Sequence, residues 1–138
     1  MNPGLDIIVT RHPATVEWLR QQLPGERRQV VLPHLDRDLL ARPHWQGRPV
    51  DWRHTRFFGV FPLWLAADIA MLGGQCWSVD LASAQRYRGA ELNLTDLNQC
   101  QPSLVRYRVI ALDRMVRQPR LPNNGLATTP MIRREDMP

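Results

Sequence analysis

Leu5-Asp6-Ile7-Ile8-Val9-Thr10, followed at once by Arg11-His12-Pro13, decides how the rest of the chain is read. A short segment this rich in β-branched side chains reads as a buried strand. Pro13 suits the first turn of a helix, where a missing N–H costs nothing. That helix runs to about Gln22 and is stopped by Pro24-Gly25. Its core stripe is Val16, Leu19 and Leu23, which leaves the large ring of Trp18 roughly on the opposite side. Gln29-Val30-Val31-Leu32 is a second short strand ending at Pro33-His34. Strand, helix, strand opens a parallel sheet with a right-handed crossover.

Downstream, residues 36–56 give a mixed signal, with Trp45, Trp52, Pro43 and Pro49 among five arginines. They read as a long loop with a short helix near Asp36 to Leu40. Arg56-Phe57-Phe58-Gly59-Val60 is a third strand. Pro62 to Leu72 is the clearest helix, ended by Gly73-Gly74. Its small-residue face, Leu63, Ala66, Ala67 and Ala70, fits close packing on a sheet. A second apolar face holds Trp64, Leu65 and Leu72, with Asp68 its one charge. A helix apolar nearly all round is covered on both sides, here by a partner subunit or by a long loop. Cys76 to Leu81 is a fourth strand, Arg86 to Glu91 a polar loop, and Thr95 caps a short helix through Gln99. Leu104 to Leu112 is the final strand. The expected fold class is therefore α/β, a mostly parallel sheet flanked by helices. One domain spans residues 1–117, and residues 118–138 form a Pro-rich tail.

Composition sets the bounds. At 138 residues there is room for one ordinary domain. The net charge of +5 makes an anionic partner plausible. All 18 cationic residues are arginine, however, and with abundant Pro and Ala this points to a compositional bias as much as to a ligand. Arginine still serves a phosphate well, because its planar fork pairs bidentately with phosphate oxygens. Cys76 and Cys100 stand 24 positions apart without a CxxC, so buried, idle thiols are expected rather than a disulfide or a metal pair. The N-terminus lacks the pattern of a secretory signal. The longest apolar run is broken by Gly59, Pro62 and Asp68. A cytoplasmic protein with no membrane partner is expected.

Ligands of open α/β sheets bind beyond the carboxyl ends of the strands. Thr10-Arg11-His12 sits there, before a helix N-terminus whose free N–H groups favour an anion. The competing reading makes Arg11 a surface ion pair and His12 a cap. His34-Leu35-Asp36 follows the second strand, either as a polar pair or with Asp36 capping a short helix. Arg86, Arg88 and Glu91 follow the fourth strand, either as a phosphate clamp or as a solvated charge cluster. G-x-G-x-x-G, the P-loop and G-x-S-x-G are absent, which disfavours dinucleotide cofactors and hydrolase elbows. No two histidines have metal-ligand spacing, so neither a metal site nor a cofactor is expected. Trp18 and Trp52 could stack on bases, with packing or an interface the stronger reading.

Val9-Thr10-Arg11-His12-Pro13-Ala14-Thr15-Val16-Glu17-Trp18 resembles the N-terminal signature of the Csx-sixteen proteins, CRISPR-associated accessory proteins of type III systems. That signature runs V-T-R-H-P-G-A-x-E-W. Further blocks match in order: His34-Leu35-Asp36, Gly59-Val60-Phe61-Pro62-Leu63 with Leu65-Ala66-Ala67-Asp68, and Arg88-Gly89-Ala90-Glu91-Leu92. Ala14-Thr15 departs from the family's Gly-Ala. The resemblance implies a Rossmann-like fold, a homodimer, and ring-nuclease activity on cyclic tetra-adenylate, switching off antiviral signalling. DNA is not expected as a partner.

The implied chemistry is metal-independent: a ribose 2′-hydroxyl attacks its adjacent phosphorus in line. Arg11 would stabilise phosphate charge, Thr10 would orient the ligand, and His12 would transfer a proton, a common task of histidine in acid–base catalysis. Arg88 is a second phosphate clamp, and Asp36 or Glu91 would orient a partner. A protein that sequesters the messenger without cleaving it would need the same crevice.

Overall fold

The computed structural model describes residues 4–81, 92–113 and 115. Five strands form the main sheet: β1 (Leu5–Val9), β2 (Arg28–Leu32), β5 (Thr55–Gly59), β6 (Gln75–Leu81) and β7 (Pro102–Tyr107). Between β2 and β5 lie a two-residue pair, β3 (His44–Trp45) and β4 (Arg48–Pro49), and a 3-10 turn at Trp52–His54. The helices are α1 (Pro13–Gln22), α2 (Arg37–Ala41), α3 (Leu63–Met71) and α4 (Leu94–Gln99). The sheet order is β2-β1-β5-β6-β7, parallel except for the antiparallel β7. The α/β expectation with a mostly parallel sheet holds, and the arrangement is Rossmann-like. The tail, residues 118–138, lies outside the described residues.

Alternation along the strands sorts the core onto two faces. Ile7 and Phe57 point to one side, against Leu40 of α2 and Leu65, Ala66 and Ile69 of α3. Ile8 and Phe58 point to the other, against Ala14, Trp18 and Leu19 of α1 and Leu97 of α4. Both faces of the central strands are therefore covered, as their near-continuous apolar sequence requires.

Five expectations need correction, and one is the cap of α4: it is Asn93, not Thr95, whose side chain accepts from the Asp96 N–H. Trp18 is buried, because α4 lies over α1 and turns the Ala14–Trp18 side into an interior seam. In α3, Leu65 belongs to the core while Leu63 is exposed, so the buried residues are Leu65, Ala66, Ala67 and Ile69. The last strand stops at Tyr107, whose partner Cys76 lies one residue into β6; beyond it the neighbouring strand runs out. The presumed loop of residues 36–56 contains a hairpin, closed by Gln46 (φ 49°) and Gly47 (φ 76°). Two successive positive φ values mark the tight turn whose twist matches paired strands. The helix stop at Gly73-Gly74 is as expected. Gly73 takes φ 88°, and the two glycine N–H groups donate to the carbonyls of Ala70 and Ile69, which a β-carbon at Gly73 would strain.

One buried charge crosses this apolar interior. Asp6, on β1, is fully buried and accepts from Arg27 Nε (2.8 Å), Arg56 Nε (2.8 Å) and Arg56 Nη2 (2.7 Å). Arg27 Nη2 also donates to the carbonyls of Leu5 and His54. A carboxylate removed from water needs such saturation. Arg56→Met, which strips Asp6 of two donors, is expected to cost about 3–5 kcal/mol of folding stability in urea titrations. Arg28→Met, which loses a surface bond to Gln46, is expected to cost under ~0.5 kcal/mol.

Candidate functional site

The chain leaves β1 at Val9 and reverses into α1 within three residues. Thr10 N–H still donates to Leu32 of β2 at 3.0 Å, prolonging the ladder by one step. Thr10 Oγ1 then accepts from the His12 N–H at 3.1 Å, a local side-chain turn that fixes the loop. His12 occupies the helix-capping position, but its side chain makes no capping bond. The ring is thus exposed and free to face a ligand. Pro13 has no N–H, and the Thr15 N–H turns back to the His12 carbonyl at 3.1 Å. The helix start therefore offers an anion fewer donors than the sequence suggested. Charge at this loop rests on the exposed Arg11 guanidinium, which makes no ion pair among the described residues.

β2 ends at Leu32, and Pro33-His34 carries the chain toward α2. His34 Nε2 lies 3.0 Å from Asp36 Oδ1. Asp36 holds the capping position of α2 without a side-chain capping bond, so its carboxylate serves the His34 ring instead. β5 ends at Gly59, paired in register with Val9. A β-carbon at Gly59 would stand 2.6 Å from the Val9 carbonyl oxygen and 3.1 Å from the Phe61 ring. Only glycine permits this close approach of the two central strands.

These three strand ends open into one cleft of about 610 Å³. Thr10, Arg11, His12 and His34 line it together, over apolar walls that include Phe58, Phe61, Leu65 and Leu97. It lies where the chain order reverses: from β1 the chain crosses to β2 on one side and later to β5 on the other. Such a reversal leaves a crevice at the carboxyl ends of the strands. A second, more open groove of about 690 Å³ shares Thr10, Arg11 and His12 with the cleft and runs along α1 past Val16, Glu17 and Arg20.

Of the sequence-predicted residues, Thr10, Arg11 and His12 meet in the cleft, and Asp36 supports it through His34. Arg88 and Glu91 lie outside the described residues, although Leu81 and Leu92, on either side of that segment, line the cleft. Trp18 and Trp52 are both buried in the core and unavailable for stacking. Sequence reasoning placed His34 only as the polar partner of Asp36 and gave no site role to Trp64, the second residue of α3, which stands on the cleft wall. The signal for both was position: each follows the end of a strand flanking or reaching the switch point. Cys76 is no nucleophile, since burial pushes its thiol up to about 11. Cys100 is buried as well, and both cysteines are free. No three His, Cys, Asp or Glu side chains cluster for a metal ion among the described residues. No helix among the described residues is long and apolar enough to cross a membrane.

Fold and cleft together define a doubly wound α/β protein with a polar loop cluster at its topological switch point. A family model described as "Putative CRISPR-associated protein (Cas_VVA1548)" matches residues 7–110, spanning β1 through β7. The chain belongs to this CRISPR-associated family. No curated protein and no solved structure matches it.

The close approach at Gly59 has a measurable consequence. Gly59→Ala is expected to lose about 1–3 kcal/mol by thermal or urea unfolding, because the obstacle is backbone rather than a yielding side chain. Gly25→Ala, where an added β-carbon meets nothing within 4 Å, is the matched control and should change stability little.

Proposed function

We propose that the protein is a metal-independent ring nuclease of the Csx-sixteen kind, binding cyclic tetra-adenylate in the switch-point cleft and cleaving it to linear products. Within type III CRISPR defence this would end the antiviral signal. The observation that carries the reading is the convergence of one arginine without an ion pair among the described residues, one hydroxyl and two imidazoles on a single cleft: Arg11, Thr10, His12 and His34.

Internal transesterification needs this set and little more. The 2′-oxygen attacks phosphorus, the bond from phosphorus to the 5′-oxygen breaks, and a 2′,3′-cyclic phosphate and a 5′-hydroxyl result. One proton leaves the 2′-hydroxyl and one reaches the departing 5′-oxygen. Two imidazoles can share these transfers as base and acid. Asp36 orients the His34 ring, Arg11 offsets the charge that grows on the phosphoryl oxygens, and Thr10 positions the ligand. Holding the ribose in line supplies the remainder, up to ~7–11 kcal/mol in favourable cases.

A second copy of the chain suits a fourfold-repeating ring, since a twofold axis presents each group twice. Leu63, Met71 and Leu72 leave an apolar margin on α3 and its end that a homodimer would cover. Light scattering is expected to give about twice the chain mass; a strict monomer with and without ring overturns the dimer.

Pure protein incubated with cyclic tetra-adenylate in excess EDTA is expected to yield linear products on chromatography. Arg11→Ala should weaken binding by one to two decades, as loss of a charge-assisted hydrogen bond of ~1.5–3 kcal/mol would. His12→Ala should keep most binding yet lose about two decades or more in single-turnover rate. Strict dependence on a divalent ion would overturn the mechanism. Tight binding without any product would make the protein a sequestering one.

A further inference from the structure

Trp64 stands on the wall of the cleft, half-exposed at 50%. Its indole is not loose. The Arg37 guanidinium lies over one ring face at 4.5 Å from the centroid. Arg37 is held in turn by Asp68, one helical turn after Trp64 on α3, through an Nε to Oδ2 bond of 2.9 Å. Arg37 is absent from the cleft wall and Trp64 is on it. The cation thus covers the ring without itself reaching the cleft, while the indole contributes to the cleft wall.

An exposed tryptophan ordinarily gains nothing by being fixed. Here α2 supplies Arg37 at its first position and α3 supplies both Trp64 and Asp68, so two elements cooperate to hold one aromatic ring at the rim. A ring fixed on one face and open on the other is a stacking platform. Its natural occupant is a flat heteroaromatic ring, and a nucleobase attached to a phosphate held by Arg11 would supply one.

We infer that Trp64 is a base-stacking platform that takes one nucleobase of the ligand, with Arg37 and Asp68 as positioning residues that hold the indole. This rests on the nucleotide reading of the cleft but not on ring cleavage. Stacking is tolerant of base identity, because every base has a π-face. Trp64 should thus contribute affinity rather than discrimination among bases.

The test uses the full chain and two probes. Adenosine 5′-monophosphate at millimolar concentration should shift the indole N–H resonance of Trp64, assigned by its disappearance in Trp64→Phe; ribose 5-phosphate, which lacks a base, should leave it unmoved. Trp64→Ala should bind cyclic tetra-adenylate about ten- to a hundredfold more weakly, whereas Trp64→Phe should retain most affinity. Arg37→Gln should weaken binding while leaving the cleft polar groups in place. An unmoved Trp64 signal with adenosine 5′-monophosphate, or wild-type ring affinity in Trp64→Ala, overturns the inference. So does a Trp64→Ala protein that turns from dimer to monomer without any nucleotide response in the wild type, since Trp64 would then be a subunit contact. A Trp64 response to the mononucleotide without ring binding supports the platform and overturns the ring-nuclease reading alone.

Discussion

The carboxylate of Asp6 governs the amino edge of the sheet. It sits on β1, between β2 and β5, fully buried, and draws Arg27 from the approach to β2 and Arg56 from β5 onto its two oxygens. Arg27 then reaches the backbone of Leu5 and His54, so side chain and main chain of three neighbouring segments share one knot. A one-residue slip of β1 would send Asp6 to the opposite face, into the apolar layer of Ile7 and Phe57, with no cation to meet it. The register that satisfies this charge is also the register that sets Val9 beside Leu32 and Gly59 at the other end. The carboxyl ends of β2, β1 and β5 come out level because their amino ends are tied together.

The consequence is a division of the molecule along the strands. At the amino edge, arginines are spent on aspartates: Arg27 and Arg56 on Asp6, and Arg53 on Asp51, whose carboxyl it holds below the ordinary range by hydrogen bonding. Arg37 goes to Asp68 near the opposite end. Arg11 alone brings a cation to the cleft wall without a carboxylate beside it among the described residues. The overall charge of the chain says little about a ligand; the pairing pattern says more. An unpaired cation over apolar walls attracts an anion more strongly than the same cation in open water, because the low-dielectric surroundings screen it less.

Much of this fold was legible because its defining segments are extreme. Leu5 to Val9 has no rival to a buried strand, Pro13 fixes where α1 begins, and Gly73-Gly74 fixes where α3 ends. What escaped was whatever depends on a neighbour distant in sequence. Trp18 looks misplaced on a lone helix and becomes core only once α4 covers it. The hairpin at residues 44–49 has strands of two residues, too short for any period, and its Gln-Gly turn lacks the usual Asn or Asp. β7 is shorter at its end than its sequence suggests, because alternation continues past the point where β6 offers a partner. The Asp6 knot was invisible for the same reason: nothing local tells that an Asp inside an apolar run will meet arginines 21 and 50 positions away.

The candidate site was legible in part for a different reason. Topology says that loops after parallel strands converge, but it does not say how side chains in them are held. Thr10-Arg11-His12 could be named from position and His34 with Asp36 as a polar pair two residues apart, whereas the backing of Trp64 by Arg37 arises from geometry between elements. Both pairings have the same form: a charged partner outside the cleft fixes a ring on its wall. For His34 the fixed quantity is the direction of a nitrogen, which matters to proton transfer. For Trp64 it is the plane of the ring, which matters to stacking. On the proposed nucleotide reading, each contact restrains a ring ahead of the ligand, and less ordering remains for the moment of binding. A cleft that served only to pack apolar side chains would need neither.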